Sequence, residues 1–205
     1  MFLSRLILDP GKRSVMQVLA EPQKLHGMIE MSFKDQSLRK LWRLDTRTDG
    51  KLALYVQAAV RGDLAILEEQ LRADKIQTAS MDAFLAGLEA GQRWHFRLRA
   101  NPTHSERRPG ERRGKVYGVK LADQQGWLLR HAPAWGIQVD ADDFLILERT
   151  SLRFRKHGKG KPVRIDTVTY EGALEIADAQ ALRAAIADGV GRAKAYGCGL
   201  LTLAR

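Results

Sequence analysis

The chain has 205 residues, with 34 Lys and Arg against 24 Asp and Glu and a hydrophobic share of 44%; this composition supports a folded core and excludes disorder as the default, with room for one large unit or two of roughly 100 residues. A single cysteine excludes an internal disulfide and a multi-cysteine zinc site. No apolar run approaches the roughly 20 residues of a membrane-spanning helix, and the first residues lack the basic start and cleavage site of a signal peptide, so a cytoplasmic protein with no membrane partner is expected.

Residues 2–8 read as a buried first strand. Helical spacing follows over 12–20, with Val15, Val18 and Leu19 on one face, and over 22–33, with Leu25, Met28 and Ile29; Pro22 suits a helix start. Residues 38–45 and 51–60 flank Thr46-Arg47-Thr48-Asp49-Gly50, whose Asp-Gly pair predicts a hairpin. A short helix over 81–88 and a strand over 93–99 complete a β-α-β-β-α-β order, which is ferredoxin-like.

The polar, turn-rich stretch 101–110 is expected to divide the chain into units 1–102 and 111–205. The second unit begins with a strand over 112–120, followed by a helix over 121–131 and strands over 136–140, 144–155 and 163–176. Asp178 caps a helix with Leu182, Ala185 and Ile186 on its buried face, Gly189 stops it, and 199–204 form the last strand. The predicted fold is α+β, two tandem ferredoxin-like units with a basic β-hairpin in the second.

The net charge of +10 is local, because residues 93–115 and 153–164 each carry +6 and leave about −2 for everything else. One such run is as well explained by a solvated face; two that hold the whole excess point to a polyanion. In the first, Trp94, Phe96 and Leu98 alternate with Arg93, His95, Arg97 and Arg99, so a strand buries one set and displays a basic stripe, which Arg107, Arg108, Arg112 and Arg113 continue. In the second, Arg153, Arg155, Lys156, Lys159 and Lys161 surround a glycine-containing turn and predict a hairpin with a basic tip. Such a hairpin reaches phosphates on both sides of an A-form groove, so RNA fits better than an acidic protein.

Near the C-terminus, Gly189-x-Gly191 follows a helix, which is the wrong order for a dinucleotide-binding loop, and no Gly-Lys-Ser/Thr marks a P-loop. What remains is either an exposed glycine-rich loop that offers backbone amides, Arg192 and Lys194 to phosphates, or a structural turn. Asp140, Asp142 and Asp143 form the one acidic cluster, explained better by a turn than by a magnesium site. His95, His104, His131 and His157 show no ligand spacing, and neither a metal nor a cofactor is expected. Trp42 reads as core and Tyr196 as a candidate for base stacking. By spacing alone, His26 is a surface or core histidine at the rim of a helix's buried face.

The paired glycines Gly189/Gly191 and Gly197/Gly199, separated by a basic stretch and followed by Leu200-Leu201, resemble the C-terminal signature of CRISPR repeat endoribonucleases. The chain is especially similar to the CasE family of the type I-E Cascade complex, with agreement also in residues 1–10, in Leu41-Trp42-Arg43-Leu44 and in residues 92–102. The resemblance implies two RNA-recognition-motif-like domains and metal-independent cleavage of a repeat hairpin, by 2′-hydroxyl attack that leaves a 2′,3′-cyclic phosphate. It further implies CRISPR precursor RNA, mature guide RNA and other Cascade subunits as partners of a chain that is monomeric when free. Pro22-Gln23-Lys24-Leu25-His26 matches the family's Pro-x-x-x-His pattern, which makes His26 the catalytic candidate. Some members carry a tyrosine three residues before that histidine; Gln23 stands there, so the second catalytic group is open, with Lys34 taken as the candidate and Lys24 and Arg39 as further cations able to stabilise a phosphorane.

Overall fold

The computed structural model describes residues 1–107, 110, 112, 114–155 and 162–205. In the first sheet, β1 (Phe2–Leu8) pairs antiparallel with β3 (Leu52–Ala58) and β4 (Lys75–Ser80), and β3 pairs with β2 (Lys40–Thr46), giving the order β2-β3-β1-β4. One face of each strand carries the apolar set, because successive side chains alternate. Leu6, Leu8, Leu54 and Val56 are buried there with Val15 of α1 (Arg13–Leu19), Leu25, Met28 and Ile29 of α2 (Pro22–Met31), and Leu67 and Leu71 of α3 (Ala65–Leu71).

The second sheet has the order β11-β5-β10-β8, from β11 (Leu201–Ala204), β5 (Arg93–Ala100), β10 (Val163–Ile176) and β8 (Ile137–Gln138), with β9 (Phe144–Phe154) also pairing with β10. Its core gathers Phe96, Leu98 and Tyr170 of the sheet, Trp127 and Leu128 of α5 (Gln124–His131), and Leu182 and Ile186 of α6 (Ala179–Asp188). The Asp178 carboxylate accepts from the Gln180 and Ala181 amides at the start of α6, as the cap assignment expects. In both sheets the first and third strands of a β-α-β-β-α-β unit are central and the second and fourth flank them, so the tandem ferredoxin-like architecture holds.

Three expectations change. The strand at Arg93–Ala100, expected to close the first unit, is a central strand of the second sheet, bonded to β10 and β11. The first sheet already has its fourth strand in β4, and the break between the sheets therefore falls between Ser80 and Arg93, ahead of the expected 102/111 division. The helix expected over 81–88 is α4 (Asp82–Ala86) in that connection, and Met81 and Leu88 at its ends are buried in the second core. Finally, the polar stretch after residue 101 is not an open linker: β6 (Thr103–Glu106) and β7 (Lys115–Gly118) pair as a separate two-stranded sheet, so β7 does not open the second ferredoxin-like unit.

β2 is the edge strand of its sheet, yet Lys40, Leu41, Trp42, Arg43 and Asp45 are all buried. Trp42 faces the first core, and the opposite face of β2 meets the second half. There Arg43 donates to both oxygens of Asp45 (2.8 and 2.9 Å), to the carbonyls of Arg97 (2.9 Å) and Leu200 (3.0 Å), and to the Thr202 hydroxyl (2.9 Å). A guanidinium has five N–H donors, so this set matches its full capacity. Arg97 of β5 returns the contact at 3.4 Å from Asp45, and Gln57 of β3 donates to the Ile186 carbonyl at 2.6 Å.

Truncating a buried ion-pair partner leaves an uncompensated charge and costs about 3–5 kcal/mol. Because Arg97 still faces Asp45, Arg43→Met is expected at the lower end, roughly 3 kcal/mol, read as a lowered urea midpoint. An unchanged midpoint would show that other contacts hold the two halves together.

Candidate active site and nucleic-acid interface

Pro22 occupies the first turn of α2, where its missing N–H costs nothing. One turn on, His26 projects from the rim of the buried face with its side chain 30% exposed. Its Nδ1 lies 3.8 Å from Glu30 Oε1, an ion-pair separation too long for a hydrogen bond. Glu30 is engaged elsewhere, since Oε2 accepts from Lys40 Nζ at 2.7 Å. The Lys40 side chain is 1% exposed and lies 5.9 Å from the centre of the Phe33 ring. A carboxylate held by a buried cation therefore sits next to the imidazole.

The glycine-rich segment supplies the opposite wall. After α6 it wraps the free edge of β2, resting Gly189 on Leu41 and Gly197 on Trp42, side chains that leave a strand on opposite faces. At Gly197, φ is +79° and an added Cβ would lie 2.8 Å from the Trp42 ring, so this position needs glycine on both backbone and packing grounds. Gly197 and Gly199 are buried and only Gly191 is exposed, which corrects the expectation of an exposed loop offering its amides throughout. The wrap brings Tyr196 to His26, with ring centres 6.2 Å apart and planes inclined by 53°. On its other side Tyr196 meets Phe154 at 4.7 Å, and Phe154 ends β9 at the start of the basic hairpin.

Cations gather at the same joint. Lys194 donates to the Asp188 carbonyl at 2.9 Å. Burial and the neighbouring Arg39 guanidinium push its ammonium below the ordinary lysine range, with Asp188 opposing. Arg39 is exposed in the approach to β2 and Arg192 is exposed beside Gly191. Two like charges held together in this way are relieved by an anion such as phosphate.

The other expected residues divide clearly. Lys34 is exposed beyond the C-terminus of α2, about two helical turns past His26 in sequence. The alternation in β5 is as expected, but Arg93 pairs with Asp143 at 3.0 Å and Arg97 with Glu171 and Asp45. Arg99 donates to the Thr167 hydroxyl at 3.2 and 3.1 Å. Part of the basic stripe is thus engaged within the protein. Arg107 and Arg112 are exposed at the β6–β7 hairpin. On the long hairpin, Arg153 and Arg155 are exposed, and Arg153 stands directly opposite Arg164, which leans to Asp166 at 2.9 Å. Arg108, Arg113, Lys156, Lys159 and Lys161 lie outside the described residues, as does His157.

Asp143 bonds back to the Asp140 carbonyl through its amide, the turn favoured from sequence. Among the described residues no group of three or more His, Cys, Asp or Glu is arranged to hold a metal ion, and no helix is long and apolar enough to cross a membrane. Sequence reasoning missed Glu30, Lys40 and Phe154. The i,i+4 spacing of His26 and Glu30 on one helix was a usable signal for the first; Lys40 precedes an apolar strand, and its burial was not marked in any local pattern.

Cys198 follows Gly197 in the wrapped segment and is fully buried, and burial pushes its thiol up to about 12. Native protein at neutral pH is therefore expected to resist thiol labelling. Gly197→Ala, which forces the loop off Trp42, should label measurably faster; equal rates would mean that the loop does not depend on this packing.

The whole chain, residues 1–205, matches the model of the family described as CRISPR associated protein. It is 31% identical over 222 residues to the CRISPR-associated endoribonuclease Cse3 of Thermus thermophilus, covering 100% of both chains. It is 36% identical over 125 residues to the Cascade subunit CasE of Escherichia coli, covering 57% of this chain and 60% of that protein. Among solved structures, it superposes with a TM-score of 0.84 and 30% identity on the endoribonuclease Cse3 bound to 19 nt RNA, with 100% of both chains covered.

Proposed function

The chain belongs to the CRISPR-associated protein family, and we propose that it binds the repeat hairpin of a CRISPR precursor RNA and cuts it to release mature guide RNA. The observation that carries this reading is the joint itself. One partly exposed histidine is fixed between a carboxylate and an aromatic ring, beside paired cations and at the foot of a basic hairpin.

In the proposed reaction a ribose 2′-oxygen bonds to the adjacent phosphorus while the bond from phosphorus to the 5′-oxygen breaks. One proton leaves the 2′-hydroxyl and one is taken up by the departing 5′-oxygen, leaving a 2′,3′-cyclic phosphate and a 5′-hydroxyl. His26 carries out one of these transfers, the task to which imidazole is best matched near neutral pH. Arg39 and Lys194 offset the charge that builds on the phosphorane. No step calls for a metal ion or cofactor.

The exposed arginines of the two hairpins, Arg107, Arg112, Arg153 and Arg155, hold the RNA through its phosphates, and Arg108, Arg113, Lys156, Lys159 and Lys161 add to the basic charge of the same stretches of sequence. The gene product works in the cytoplasm alongside other Cascade subunits, the assembly named for its Escherichia coli relative.

The test is single-turnover cleavage of a repeat hairpin RNA in excess chelator, with binding measured in parallel. Wild type should cut, while His26→Ala should bind normally and cut about 10²–10⁴-fold more slowly, the range of general acid–base help. A requirement for added magnesium, or an undiminished variant, contradicts the mechanism. Binding with no cleavage by wild type would make the chain a non-catalytic RNA-binding scaffold instead.

A further inference from the structure

On its own helix His26 has one polar neighbour, the Glu30 carboxylate 3.8 Å away, which already accepts from Lys40. Gln23, one turn before it, offers an amide, and Lys34 lies past the helix end. Lys194 is tied by its ammonium to the Asp188 carbonyl. The remaining polar side chain facing the imidazole comes from the other half of the molecule, 170 positions along the chain.

We propose that Tyr196 is the second catalytic group of this centre, its phenolic hydroxyl donating a hydrogen bond to a non-bridging oxygen of the scissile phosphate. Its ring is held from both sides, by Phe154 at 4.7 Å and by His26 at 6.2 Å. Its main chain is held by the left-handed turns at Ala193 and Gly197 and by the Trp42 ring beneath Gly197. Among the described residues the hydroxyl has no hydrogen-bond partner, and no hydrogen bond joins it to His26. A ring packed against two aromatic neighbours, with a hydroxyl that has no partner among the described residues, is preorganised for charge that develops on a substrate, and such donors act without reorganisation at the moment of reaction. The O–H bond stays intact: the 2′-oxygen to phosphorus bond forms, the 5′-oxygen bond breaks, and both proton transfers are left to other groups.

This role rests on the cleavage reading and separates from it experimentally. The measurement is the single-turnover rate of repeat-hairpin RNA cleavage by the full chain, as wild type, Tyr196→Phe and Tyr196→Leu, across pH and with RNA affinity measured alongside. Tyr196→Phe keeps the ring and removes only the donor. It is expected to cut about a hundredfold more slowly, the loss seen when one oxyanion donor is removed, with RNA affinity unchanged and a pH–rate profile of wild-type shape. Wild-type rates for Tyr196→Phe overturn the proposal, including where Tyr196→Leu alone is slow, since the ring would then act by packing. A profile that loses one limb also overturns it, because the phenol would then be transferring a proton. If wild type itself does not cut, the cleavage reading falls and this role falls with it.

Discussion

Arg43 connects the two halves of this molecule. Its five N–H donors are divided between Asp45 on its own strand and the Arg97 carbonyl, Leu200 carbonyl and Thr202 hydroxyl of the second sheet. A charge buried to this depth is tolerated only with its partners in place. The register of β2 against β5 and β11 is therefore set closely, and an edge strand that would otherwise present unpaired backbone is covered.

The chemistry inherits that constraint. Because Arg43 fixes β2 against the second half, the segment after α6 has one route around the strand's free edge, over Leu41 and then Trp42. That route ends with Tyr196 beside His26 and Phe154. Neither half holds the site by itself: the histidine, its carboxylate neighbour and the buried lysine come from the first, and the aromatic wall and hairpin from the second. Like charges meet at two places near the joint, and at the second of them Asp166 already pairs with Arg164. Arg39 stands against Lys194, and Arg153 against Arg164 across the hairpin. Phosphate beside Arg39 and Lys194 relieves their repulsion, so the electrostatics of the joint favour RNA binding.

Much of the fold was legible because local signals were strong. The first strand, the Asp-Gly hairpin, the long β10 and the Asp178 cap each follow from periodicity or a cap residue. α3 carries helical spacing in Leu64, Leu67 and Leu71, but β4 gave no such signal: Lys75-Ile76-Gln77-Thr78-Ala79-Ser80 carries only one large apolar side chain, since β4 is an edge strand and mostly exposed. Without it, β5 reads as the fourth strand of the first unit. Alternation in Arg93–Ala100 identifies a strand and its buried face, but which sheet it joins depends on partners more than sixty residues away. At the site, the Pro-x-x-x-His pattern pointed to His26 where its helical spacing did not. The glycines were legible as a signature, and their physical cause, close approach to Leu41 and Trp42, needed the tertiary structure. Tyr196 reaches His26 only through that packing.

In the proposed reaction the joint positions an RNA strand for attack by its own 2′-hydroxyl. The most direct measurement uses a repeat hairpin RNA in which one nucleotide, immediately 5′ of the cleavage position mapped on the all-ribose substrate, is replaced by its 2′-deoxy counterpart. This RNA is expected to bind with unchanged affinity and to stay uncut at that position, while the all-ribose hairpin yields a 2′,3′-cyclic phosphate end. Cleavage of the 2′-deoxy substrate at the same position would contradict it.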